Sequence, residues 1–134
     1  MVDVRVYFNE ISNSKRELDK KRNKLLELKC QIYGLSAMRY DQDRIISSGD
    51  MDKIGKLVAK KVDLEHEIED ISKGLTSLKL SAFEAIQYIN KPKQRSVLYK
   101  RGIEGKSVSR TATEMKISER HCKRLYEDAI SQFK

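Results

Sequence analysis

Val4, Ile11, Leu18, Leu25 and Ile32 recur every seven residues, and Tyr7, Leu28 and Leu35 fall three after the first, fourth and fifth of them. Spacing of this kind sets one apolar stripe along a helix of several turns, the a and d positions of a heptad, and excludes the two-residue alternation of a strand. The stripe is weakest at Ser14 and Lys21, which occupy d positions. Ser14 with Glu17 also has the form of a capping box, so the residues allow either a continuous helix or one that kinks and restarts near Ser12–Ser14. A second stripe is cleaner. Ile54, Ile68 and Leu75 with Leu57, Leu64, Ile71 and Leu78 hold the same spacing, with only Lys61 interrupting the a series. Between the two lies GLSAMRYDQDRIISSGD, residues 34–50, whose Gly, Ser and Asp predict a loop of about 36–50, with Asp50 as the cap of the next helix. The expectation is an all-α chain: a long antiparallel, coiled-coil-like hairpin over residues 1–90, in which about 3–35 pair with 51–74. The second helix runs on past Gly74 to about Asn90. So narrow a stripe buries little area, which makes the hairpin a candidate for homodimerisation.

The net charge of +8 is unevenly placed. Residues 91–134 hold twelve Lys/Arg against five Asp/Glu, and residues 1–90 sixteen against fifteen. One end is built to meet a polyanion and the other is electrostatically neutral. Cys30 and Cys122 lie far apart with no CxxC or Cys/His cluster, so neither a disulfide framework nor a metal site is indicated, and a reducing cytoplasm is the expected compartment. No segment reads as a signal peptide or a membrane span. His66 among Glu65, Glu67, Glu69 and Asp70 reads as a solvated helix face, and neither a phosphate-binding Gly loop nor a nucleophile triad occurs. The expected class is a non-enzymatic binding protein without a cofactor.

Pro92 suits the first turn of a helix, and the text from there predicts three short helices, about 92–101, 107–115 and 118–133. The last two are separated by a tight turn at Lys116–Ser118, with Ser118 as N-cap. Ala112 supplies the small side chain that two crossing helices need, and Met115, Ile117, Cys122 and Leu125 have the spacing of inward residues in a helix-turn-helix. Cys122 is then a small core hydrophobe. The final helix carries Ser118, Glu119, Arg120, His121, Lys123 and Arg124 in its first two turns, where a recognition helix meets base edges and phosphates. Positions 118, 121 and 125 share one face, and 120, 123, 124 and 127 another. Arg120 and Arg124 suit a guanine edge or a phosphate, Lys123 a phosphate, and Glu119 a cytosine amino group or the helix N-terminus. Lys106 and Arg110 complete the candidate DNA-binding set.

PKQRSVL, EGKS and ATEMKISERHCKRLYEDAI resemble the helix-turn-helix of sigma-factor region 4 and, more closely, the C-terminal half of phage-encoded ArpU-like transcriptional regulators of Gram-positive hosts. VYFNEI and RYDQDRIISS (39–48) resemble the front half of the same group. Lys100 and Gly102 stand where that family usually has apolar or aromatic residues, Thr111 where it has Ile or Leu, and Lys116 where it has Gly. The resemblance implies a DNA-binding regulator of phage or prophage genes, most often late ones. Double-stranded DNA is the expected partner, with RNA polymerase beside it. The rival reading is an adaptor or structural phage protein whose stem is the working surface. A DNA-packaging subunit is a third.

Overall fold

The computed structural model describes residues 3–41 and 48–133, and within them every regular element is helical. Helix α1 spans Val4–Asp41 and α2 Ser48–Ile86. Three shorter helices follow: α3 Pro92–Leu98, α4 Val108–Met115 and α5 Glu119–Ser131. Among the described residues no helix is long and apolar enough to cross a membrane.

The long helices pack as an antiparallel pair. Lys21 Nζ donates to Glu67 Oε2 at 2.8 Å, and Val4, Ile11 and Leu18 on α1 are buried, as are Leu64, Leu75 and Ala82 on α2. The loop expected at about 36–50 is shorter at both ends: α1 continues through Gly34 to Asp41, and Asp50 lies inside α2 rather than capping it. The stripe explains this, because Ile32 and Leu35 keep it half-buried on either side of Gly34, outweighing the roughly 1 kcal/mol that a mid-helix glycine costs. The rest of that loop, 42–47, lies outside the described residues. Nor does α1 restart at Ser14. Helical hydrogen bonding runs unbroken through Ser12–Ser14, and next to them Lys15 Nζ donates to the Ile103 carbonyl at 2.9 Å. At its far end α2 stops at Ile86, short of Asn90, and a turn leads to Pro92.

The chain forms two compact units: residues 16–73, the middle of the helix pair, and residues 1–15 with 74–134. The expected stem of 1–90 thus contributes to both. In the second of these, Val97, Ala112 and Cys122 form a buried cluster with Val108, Met115, Ile117, Leu125 and Tyr126 packed on it. Every residue that spacing sets inward is there. After Leu98 the chain widens into a π-helical turn, Tyr99–Ile103, closed by the Glu104 N–H on the Tyr99 carbonyl at 3.0 Å. This turn presents Gly102 to the ring of Phe8, and a Cβ at residue 102 would overlap that ring. Phe8 is buried, whereas Tyr7 at the expected d position is only half-buried.

Gly102, Lys116 and Thr111 have local consequences. Gly102 makes room for Phe8. Lys116 adopts the left-handed region (φ 58°) that favours glycine. Thr111 is fully buried with no hydrogen-bond partner for Oγ1. Thermal melts therefore test the packing: Thr111→Val, which removes an unsatisfied buried hydroxyl, should stabilise by about 1 kcal/mol. Lys116→Gly should add about 1 kcal/mol by relieving the left-handed strain. Gly102→Ala should cost about 1–3 kcal/mol by overpacking Phe8, and much less in a Phe8→Ala background.

Candidate nucleic-acid interface

Two serines and one strained turn set the geometry of the basic end. Ser107 Oγ accepts the Arg110 N–H at 3.1 Å and starts α4. Ser118 Oγ accepts the His121 N–H at 3.0 Å and starts α5. Each satisfies a backbone donor that a helix start leaves unpaired. Between them the Lys116 N–H reaches the Ala112 and Thr113 carbonyls, and the Ile117 N–H bonds the Ala112 carbonyl at 3.0 Å. The left-handed residue with bonds back into the last turn is the usual way to end a helix sharply. Ala112 and Cys122 are buried, and their small side chains let α4 and α5 meet closely.

Helix α5 then divides cleanly. Cys122, Ala129 and Ile130 are buried, while Glu119, Arg120, Lys123, Arg124, Glu127 and Asp128 are exposed. Of the expected site residues, Ser118, Glu119, Arg120, Lys123 and Arg124 thus come together at the exposed start of α5. His121 is half-buried and sits at the edge of this surface. Ser118 is exposed as well, but its hydroxyl is used by the cap. Arg120, Lys123 and Arg124 make no ion pair among the described residues. Lys116, exposed in the turn before α5, adds a fourth base to the same end, also without an ion-pair partner among the described residues.

The other two expected residues have different surroundings. Lys106, with only 19% of its side chain exposed, donates to Glu104 at 2.6 Å and to both oxygens of Glu114 at 2.8–3.0 Å. Arg110 is exposed and meets Glu114 loosely, at 3.6 Å. Lys100 also reaches Glu114, at 3.0 Å. Hydrogen bonds from Lys106 and Lys100 pull the Glu114 carboxyl from the ordinary value near 4.5 down to about 2, and bonds to Glu104 and Glu114 raise the Lys106 ammonium. Lys106 is accordingly committed to a local network, whereas the α5 bases are not. Arg101 stacks over the Tyr126 ring at 4.4 Å.

No family model matches the chain, and no curated protein or solved structure matches it either.

The Glu114 network has a pH signature. A carboxyl held below its unfolded value adds stability that is complete above the unfolded pKa and is lost as pH falls through the folded one. Its contribution is therefore full above about pH 4.5 and disappears toward about pH 2. Melting temperatures followed across this window should fall less steeply for Glu114→Gln than for the unaltered chain.

Proposed function

We propose that this protein is a sequence-specific DNA-binding transcriptional regulator of phage or prophage genes, most often late ones, and that α4, the turn and α5 act as a helix-turn-helix with α5 as the recognition helix. One observation carries the reading: Arg120, Lys123 and Arg124 stand exposed in the first two turns of a capped helix, without an ion-pair partner among the described residues. Free bases there release counterions when they meet phosphate, and arginine forks read guanine edges. The resemblance to ArpU-like regulators supports the same reading. In it the protein works by binding rather than catalysis, in the cytoplasm, as a homodimer through the helix pair, with duplex DNA as its partner.

The adaptor reading, in which the chain binds RNA polymerase or another phage protein, has its own observation. Phe83 and Tyr99 are 45% and 38% exposed, and their rings meet edge-to-face with centroids 6.1 Å apart. With Arg95, Ser96 and Lys100 they line a shallow groove of about 250 Å³ suited to a protein side chain.

Fluorescence anisotropy with candidate operator and random duplexes, at several salt concentrations, tests the DNA reading. Lys123→Ala should weaken binding to all duplexes alike and reduce the salt slope by about one. An arginine that reads a base should instead cost about 1–3 kcal/mol on the operator and much less on random duplex when Arg120 or Arg124 becomes Ala. Unaltered binding by all three variants would leave the adaptor reading in place.

A further inference from the structure

Residues 16–73 carry a second apolar stripe that their own fold does not use. In heptad terms the a and d positions of α1 and α2 face each other, and all of them beyond Leu18, apart from Leu64, remain only half-buried within this unit. Beyond that stripe, Leu26 and Tyr33 on α1 are 61% and 76% exposed. On α2, Met51, Val58 and Val62 are 53%, 40% and 42% exposed. Leu26 and Tyr33 hold b positions, as does Val62, while Met51 and Val58 hold e positions. In an antiparallel pair, e and b positions of both helices lie on one face and g positions on the other. The g-side groove, of about 410 Å³, fits this: it is lined by Lys21, Lys24, Gln31, Lys60, Asp63 and Glu67 among others, with Leu28 and Leu64 as its apolar residues. The exposed apolar residues of the unit are thus segregated from the polar groove.

We infer that the e/b face of residues 16–73 is covered by the same face of a second copy, with the two-fold axis running along the helix pair. The inference specifies the dimer contained in the functional reading above but needs no DNA. Such an axis sets α1 of one chain antiparallel to α2 of the other, at the heights it already has within its own chain. Counting from the Lys21–Glu67 pair, Leu26 is level with Val62, Tyr33 with Gly55, and Arg22 is beside Glu65. These three matches are complementary, while the same counting sets exposed Lys29 beside Val58, where its stem can cover the valine with the ammonium left in water. Nothing lies within 4 Å of where a Cβ of Gly55 would stand, which leaves space for the Tyr33 ring. Leu26 meets Val62, apolar on apolar. Arg22 is exposed, and Glu65 holds only Lys61 of its own helix, at 3.6 Å, so each is open to the other across the interface. Asp19, level with Glu69, ends the match on that side. A parallel two-fold placement of α1 on α1 would instead set Arg22 against its own copy.

The partner arrangement has a consequence for any DNA-bound form. Both chains enter and leave the four-helix unit, at residues 16 and 73, from the same end. A two-fold dimer carries two basic ends, which favours two related half-sites in the DNA.

Light scattering on the full chain should give twice the 15.6 kDa chain mass. Leu26→Glu and Val62→Glu should each yield monomer with unchanged helical circular dichroism, since neither residue belongs to the a/d stripe. Arg22→Glu should weaken the dimer, and Glu65→Arg in the same chain should restore it. As a check that does not depend on weakened variants, a Leu26→Cys chain mixed with a Val62→Cys chain, both carrying Cys30→Ser, should form a covalent heterodimer on oxidation. A monomer at every concentration reached, a dimer indifferent to Leu26→Glu and Val62→Glu, or no heterodimer in the mixture would overturn the inference. DNA binding by a chain that stays monomeric would overturn it, and the homodimer with it, while leaving the DNA-binding role of α5 intact.

Discussion

Two helices in a hairpin can cover only one stripe of each other, and every other part of this protein follows from how the remaining surface is dealt with. Along residues 4–15 and 74–86 the next stripe is filled in part from within the chain, with Phe83 staying 45% exposed. Phe8 and Ile86, both one step beyond the a/d seam, are buried, Phe8 lying on Gly102. Lys15, a turn or two further along the same face of α1, reaches the Ile103 carbonyl. Along residues 16–73 the corresponding positions carry Leu26, Tyr33, Val58 and Val62 and stay exposed. These apolar residues share the face with Arg22, Lys29 and Glu65, and the proposed self-association would cover them.

The basic end is shaped by the same economy. Its core is small, and Ala112 and Cys122 let α4 and α5 approach until few side chains are needed between them. Charge is then sorted around that core: Glu114 gathers Lys100, Lys106 and, loosely, Arg110. The start of α5 keeps Arg120, Lys123 and Arg124 without acidic partners among the described residues. Such sorting turns a diffuse +7 segment into a directed surface, which a solvated charged helix would not require.

Much of this was legible in the sequence because it is periodic or local. The a/d stripes, the Ser118 cap, and Ala112, Met115, Ile117, Cys122 and Leu125 as inward residues depend on spacing alone. Contacts between distant segments were less accessible. Nothing near Gly102 announces that a phenylalanine ninety-four positions earlier will fill its space, and nothing near Lys106 announces that Glu114 will claim it. The Gly, Ser and Asp of residues 34–50 predict a loop from about 36, yet α1 runs to Asp41, because the stripe on both sides of Gly34 overrides a modest propensity. Whether the exposed start of α5 meets DNA depends on a partner, and no pattern within one chain contains that.

Amide chemical shifts of the isotopically labelled full chain, followed as a duplex is added at low salt, test the central claim most directly. The account predicts shifts or broadening concentrated at Lys116–Glu127 and at Arg110, with the amides of Leu26, Val58 and Val62 unmoved. Perturbations confined to residues 16–73 or to the neighbourhood of Phe83 and Tyr99, or a spectrum indifferent to DNA, would contradict it.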